Sequence, residues 1–263
     1  MIRPVRVDEF LDELPTLWRG DPQYQDAPVD RRFRDVIKET RGMATENKLA
    51  LLNLAATFLD ADEIYLEIGA YRGTTIIGAA LGNNGRQFVT IDDFSQFKGT
   101  LDECNANLSR YSCQNVTLIN GNAWQVLNDF ATDKSIGVYF YDGRHMFRDH
   151  WAALEKIQPF LSDHALVVVD DTSIRRVAAA NRLYAKAHPQ FVRVLTFSSS
   201  MNGEPRWWNG IELYRFDRSV QTTQRSVLKE RTSYFAHLVA YDLIRHYLGI
   251  ATEPFRRLVS KKE

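Results

Sequence analysis

The chain has 263 residues, enough for one α/β domain with additions but scarcely for two full domains. Its 33 lysines and arginines balance 33 aspartates and glutamates, so bulk charge offers no attraction to nucleic acid or to an anionic membrane. No run approaches the roughly 18 apolar residues of a membrane span, and the start lacks the apolar core of a signal peptide. Two cysteines, Cys104 and Cys113, stand without CxxC or zinc spacing, and a cytoplasmic protein is expected. Residues 1–42 are charged and proline-dotted around one apolar cluster, "FLDELPTLW". The segment 45–59, "TENKLALLNLAATFL", predicts an amphipathic helix with Thr45 as N-cap, although Lys48 stands where a capping box would put an acid.

From residue 63 onward, short β-branched or aromatic runs alternate with helical stretches. The runs are "IYLEIGA", "FVTIDD", "VTLING", "GVYFYDG", "ALVVVDD", "FVRVLTF" and "IELYRF", with helices expected at 74–81, 98–111, 123–130, 145–161 and 173–187. "VYFY" and "LVVV" are apolar throughout, as strands are when helices cover both faces of a parallel sheet. The alternation predicts βαβ units and a doubly wound α/β fold. The last two runs are joined by "SSSMNGEPRWWNG", too polar for a crossover helix, so they are expected to pair antiparallel. Residues 223–250 carry an apolar stripe of Phe235, Leu238, Val239, Leu243, Tyr247 and Leu248. It suits packing onto the domain, with a homo-oligomer contact or a substrate lid as alternatives.

The stretch "YLEIGAYRGTT" (64–74) reads as a strand, a glycine turn and a helix start. In an open parallel sheet such a turn lies at the carboxyl edge, where ligands bind at the topological switch point. Its spacing is G-x-x-x-G rather than G-x-G-x-x-G, and Tyr71 stands where a pyrophosphate needs bare backbone, which disfavours a nicotinamide cofactor. The other strands end in polar groups at the same edge: Asp92 or Asp93 after the second, Asn122 after the third, "YDGRH" after the fourth and "VVVDD" after the fifth. Asp92, the first acid after its run, is the better candidate for ribose hydroxyls, and Asn122 for an adenine edge. One shared ligand cleft accounts for the set.

With these residues in view, the sequence resembles the class I S-adenosylmethionine-dependent methyltransferases. The likeness rests on "EIGAYRG", on the acid in "TIDD", on "GNA" after strand three, on "YDG" after strand four and on the final antiparallel pair, and it covers roughly 45–217. It implies a Rossmann-like sheet of seven strands in the order 3-2-1-4-5-7-6, with helical additions at 1–60 and 219–263 flanking a cofactor-binding catalytic domain at 61–218. It also implies that Glu67 and the backbone of Gly69, Ala70, Tyr71 and Gly73, running into Thr74, face the methionine moiety. Asp92 would face the ribose, and Asn122 with Ala123 the adenine.

Three acids, Asp142, Asp170 and Asp171, close strands four and five near the expected position of the methyl group. Adjacent strands lie about 4.8 Å apart, so the carboxylates can converge on a hard cation such as Mg²⁺. Two neighbours at a strand end point to opposite faces unless the chain turns there. Asp171 with Thr172 alternatively suits the cap of the next helix. Metal-dependent catechol-type O-methyltransferases, which the sequence resembles here, use an Asp after strand four and an Asp-Asn pair after strand five. Asp142 and Asp170 match, Asp171 replaces the Asn, and His145 stands where that group has a Lys. "YDGRH" is similar to the D-G-x-H segment of enzymes like the macrolide-sugar O-methyltransferases. His145 is the candidate general base, with N-terminal helix capping or structural hydrogen bonding as its structural alternatives. Trp207 and Trp208 either wall an acceptor pocket or pack under their loop. Arg175 and Arg176 either pair with the strand-five acids or meet an anionic acceptor. The leading expectation is O-methylation of a small-molecule hydroxyl, Mg²⁺-assisted. A metal-free N- or C-methyltransferase, a hydroxylase-like relative and a non-catalytic binding protein are the alternatives.

Overall fold

The structure, a computed structural model, describes residues 6–130, 134–199 and 204–221, together with Tyr234, Phe235 and Leu238. Strands β1 (Glu63–Ile68), β2 (Gln87–Asp92), β3 (Val116–Asn120), β4 (Ser135–Tyr141), β5 (Leu161–Asp170), β6 (Phe191–Phe197) and β7 (Ile211–Asp217) form one sheet. Their order is β3-β2-β1-β4-β5-β7-β6. β7 runs antiparallel to both of its neighbours, while β1 to β5 pair in parallel. The strand order is the one that the resemblance implies, and the antiparallel pair is the one that the polar loop before β7 predicts.

Helices α4 (Thr74–Ala80), α5 (Thr100–Arg110), α6 (Ala123–Asn128), α7 (Phe147–Ile157) and α8 (Arg175–Ala187) follow the first five strands in turn. Each inner strand is buried on both faces, because its side chains alternate between two cores. Val138, Phe140, Leu166 and Val168 join one core with Leu51, Leu52 and Ile76. Tyr139, Tyr141, Val167 and Val169 join the other with Trp151, Leu154 and Tyr184. His150 and Trp151 of α7 are both buried. The order reverses between β1 and β4, and there Gly69 N donates to Ile91 O and Asp142 N to Ile68 O.

The N-terminal part adds α1 (Val7–Glu13), α2 (Arg32–Thr40) and α3 (Glu46–Thr57). α3 corrects the amphipathic expectation. Asn47, Lys48, Leu49, Ala50, Leu51, Leu52, Leu54, Ala55 and Ala56 are all buried, so it has no broad polar face. It lies between α4 on one side and the N-terminal segment and β6–β7 loop on others. Trp18 Nε1 donates to Asn47 Oδ1 at 2.8 Å, and Thr45 Oγ donates to Arg206 O at 2.8 Å. Trp207 is fully buried, stacks on Phe197 at 3.9 Å and donates to Pro22 O. It therefore packs under its loop, whereas Trp208 lines the cleft described below.

Thr45 caps α3 as its sequence predicts, accepting from Lys48 N at 3.3 Å. Thr45→Ala is expected to lower stability by about 1 kcal/mol, the usual worth of such a cap. Urea unfolding of the two proteins checks this, and coincident midpoints would dismiss the cap. The expected stripe at 223–250 lies outside the described residues, apart from Phe235 and Leu238. Next to it, the Tyr234 ring packs on Trp151 at 4.7 Å. Among the described residues, no helix is long and apolar enough to cross a membrane.

Candidate active site

A cleft of about 470 Å³ opens at the carboxyl edge of the sheet, over the point where strand order reverses. Small-molecule sites commonly have this size and this placement. Gly69, Ala70, Tyr71, Thr74, Asp92, Asn122, Ala123, Asp142, His145, Asp170 and Asp171 all line it, so the candidates after five different strands do meet.

The glycine turn is shaped by contact. Gly69 has φ +109°, and a Cβ there would lie 2.2 Å from Asp142 O. Tyr71 takes a left-handed φ of +48°, which turns its backbone N–H toward Asp92 Oδ2 at 2.8 Å. Asp92 Oδ1 accepts from Phe94 N, so this carboxylate ties two loops at the cleft wall. Asn122 caps α6, accepting from Trp124 N and Gln125 N, and lines the cleft. The Trp124 ring lies nearly parallel to Tyr141 at 6.3 Å.

Glu67 departs from expectation. It is fully buried and does not line the cleft. Its Oε1 accepts from Thr75 Oγ at 3.0 Å and Thr90 Oγ at 3.2 Å, bracing the turn from behind. Strand alternation explains the departure, because Glu67 shares a face with Tyr65 rather than pointing along the strand end. Burial pushes its carboxyl up to about 8, against the lowering effect of the two threonines. Gly73 likewise stays out of the lining and precedes α4 as its N-cap, with φ +79°.

The acids after β4 and β5 divide. Asp171 adopts φ +60°, the turn that two adjacent strand-end residues need to face different partners. Its Oδ2 meets His145 Nδ1 at 2.8 Å, and its Oδ1 accepts from Asn209 Nδ2 at 2.8 Å. Asp170 turns the other way and accepts from the Lys48 ammonium, which also donates to Trp208 O at 2.6 Å. Asp142, His145 and Asp171 converge instead, each offering one ligand atom within 4.8 Å of the others. The oxygen-only set of Asp142, Asp170 and Asp171 is thus not assembled. The set that converges contains an imidazole, a donor better suited to transition metals than to Mg²⁺. The residues do not fit the Mg²⁺ site expected from sequence.

Electrostatics separate the same groups. Burial, and then the charges of Asp170 and Asp171, push the Asp142 carboxyl well above the usual range. Burial also acts to raise Asp171, but the hydrogen bond and charge of His145 outweigh it and hold Asp171 low. Burial lowers His145, but the Asp171 hydrogen bond and charge reverse this, and the imidazole is raised overall. Neither residue caps a helix: α7 has Met146 as N-cap and α8 has Ile174. Arg176 donates to His145 O and fixes the loop that carries the imidazole, while Arg175 is exposed.

The sequence marks Lys48 only as a departure from a capping box, and Asn209 not at all. One signal stands beside Lys48: Leu51 and Leu52 lie one turn on, and the single acid of its helix, Glu46, is two residues away on another face.

Residues 66–172 match the family model described as "Methyltransferase domain". That stretch of the chain is a methyltransferase domain. Solved structures share its fold at low identity. The O-methyltransferase from Bacillus cereus in complex with SAH is 16% identical with a TM-score of 0.57, over 81% of this chain and 98% of that one. The O-methyltransferase TomG from Streptomyces achromogenes, involved in tomaymycin synthesis and solved with SAM, is 16% identical with a TM-score of 0.55, over 82% and 100%. Cofactor-bound Rv0187 from MTB is 20% identical with a TM-score of 0.56, over 84% and 100%. No curated protein matches the methyltransferase chain significantly.

Proposed function

We propose that this methyltransferase methylates a hydroxyl group of a small molecule, and that His145, oriented by Asp171, takes the hydroxyl proton. The observation that carries this reading is the Asn209–Asp171–His145 chain at the cleft wall, two contacts of 2.8 Å each. When bound, S-adenosylmethionine supplies an electrophilic methyl carbon on a sulfonium that leaves as a neutral thioether.

The residues around it have separable tasks. The neutral imidazole donates from Nδ1 to Asp171, which leaves Nε2 as an acceptor; this tautomer is inferred from the hydrogen bond. An acceptor hydroxyl placed against Nε2 can give up its proton as its oxygen bonds to the methyl carbon. Asp171 then stabilises the imidazolium. The side chain of His145 is 39% exposed, so Nε2 is within reach of a molecule entering the cleft. Ala70, Tyr71, Thr74, Asp92, Asn122 and Ala123 form the wall assigned to the cofactor. Met43, Phe97 and Trp208 line the cleft as well, and we assign them to the acceptor. Lys48 engages Asp170, so this reading makes no use of Mg²⁺.

Methyl transfer from labelled S-adenosylmethionine to a panel of hydroxylated small molecules, with the product mapped by mass spectrometry, tests the reading. His145→Gln is expected to cut kcat by about 100-fold or more, with cofactor affinity by isothermal titration within about twofold of the parent, since no bond to the cofactor wall is lost. Methylation at nitrogen, or unchanged turnover in His145→Gln, would overturn it.

A further inference from the structure

We propose that Lys48 serves as the cation of this acid cluster, neutralising Asp170 from α3 in the way a divalent ion neutralises a three-carboxylate site, so that the cleft operates without Mg²⁺. The Lys48 side chain is 1% exposed and that of Asp170 4%. A buried ammonium needs a counter-charge and acceptors for its protons, and it has Asp170 Oδ1 and Trp208 O. Asp170 Oδ1 also accepts from Asp171 N at 2.7 Å. Both oxygens of Asp171 are engaged, by His145 and by Asn209. Of the three acids, only Asp142 keeps its carboxylate without a hydrogen bond among the described residues.

A Mg²⁺ ion asks for near-octahedral oxygen at about 2.0–2.1 Å. An ion held by Asp142 and Asp170 would sit within a few ångströms of the Lys48 ammonium, where like charges repel strongly in a poorly screened interior. Lys48 is therefore a positioning residue. It holds Asp170 away from the cleft centre and anchors the backbone at Trp208, whose neighbour Asn209 grips Asp171. The residue comes from α3, outside the stretch 66–172 that matches the methyltransferase model. This role presupposes methyl transfer at the cleft, but a metal titration needs neither cofactor nor acceptor, so either can fail without the other.

The test is Mg²⁺ binding to the whole chain, followed by isothermal titration calorimetry. The parent protein is expected to take up no Mg²⁺ below about 1 mM, far weaker than a dedicated carboxylate site. Lys48→Met, which keeps the bulk and removes the charge, is expected to bind Mg²⁺ at least about tenfold more tightly as Asp170 is released to join Asp142. A merely structural lysine would not produce that gain. Micromolar Mg²⁺ binding by the parent overturns the proposal, as does a folded Lys48→Met that binds no better than the parent. Should Lys48→Met fail to fold, the parent titration alone still decides between the two outcomes.

Discussion

Gly69→Val is expected to abolish S-adenosylmethionine binding and to destabilise the chain by about 3 kcal/mol or more. Two costs add. At φ +109° a β-branched residue is strained wherever it has room, and here it has none. The added Cβ would lie 2.2 Å from Asp142 O and 2.8 Å from Asp142 C, which are backbone atoms of a strand end and cannot swing aside. Relief requires β1 and β4 to part at the floor of the cleft, carrying Asp142 with them. Urea unfolding and isothermal titration with the cofactor read the two effects separately. Parent-like values in both would mean that the close approach has no role.

Glu67→Gln is expected to remove a measurable part of the pH dependence of stability between about pH 5 and pH 9, the rest coming from groups such as Asp142 that are also raised. In the folded chain burial lifts this carboxyl from its ordinary 4.5 to about 8. The folded state thus holds the proton more tightly than the unfolded one. Its contribution is fully present below the unfolded value and is lost as pH rises through about 8. A shift of that size corresponds to about 5 kcal/mol at most. Glutamine keeps a carbonyl for Thr75 and Thr90, and it puts an amide in place of Oε2 beside the Tyr65 hydroxyl. Unfolding of the cofactor-free protein should show the parent losing stability toward alkaline pH more steeply than Glu67→Gln. Parallel curves would show that Glu67 is ionised in the folded state and would refute the assignment.

The fold was legible because its signals are local. Apolar runs such as "VYFY" and "LVVV" are buried on both sides, and the polar "SSSMNGEPRWWNG" cannot be a crossover helix. Polar residues after five strands share an edge for the same reason, since the direction of parallel strands decides it. Side-chain direction at those ends was less legible. Glu67 follows the alternation of β1 and turns inward. Asp170 and Asp171 separate through one left-handed residue whose type does not announce it. The partner of Lys48 was out of reach, because it lies 122 residues away in the chain. The burial of α3 was missed with it: one lysine and two asparagines read as a polar face until their partners are known.

The distance between Lys48 and Asp170 also bears on the order of assembly during synthesis. Lys48 emerges from the ribosome 122 residues before Asp170 and 160 before Trp208. Until β5 is complete, docking α3 would bury an ammonium with no counter-charge, and that cost keeps the helix from settling. Strands β2, β3 and β4 each pair with a strand already made and can do so as they appear. α3 is thus expected to lock late, and a chain stalled before β5 would leave its leucines exposed to chaperones.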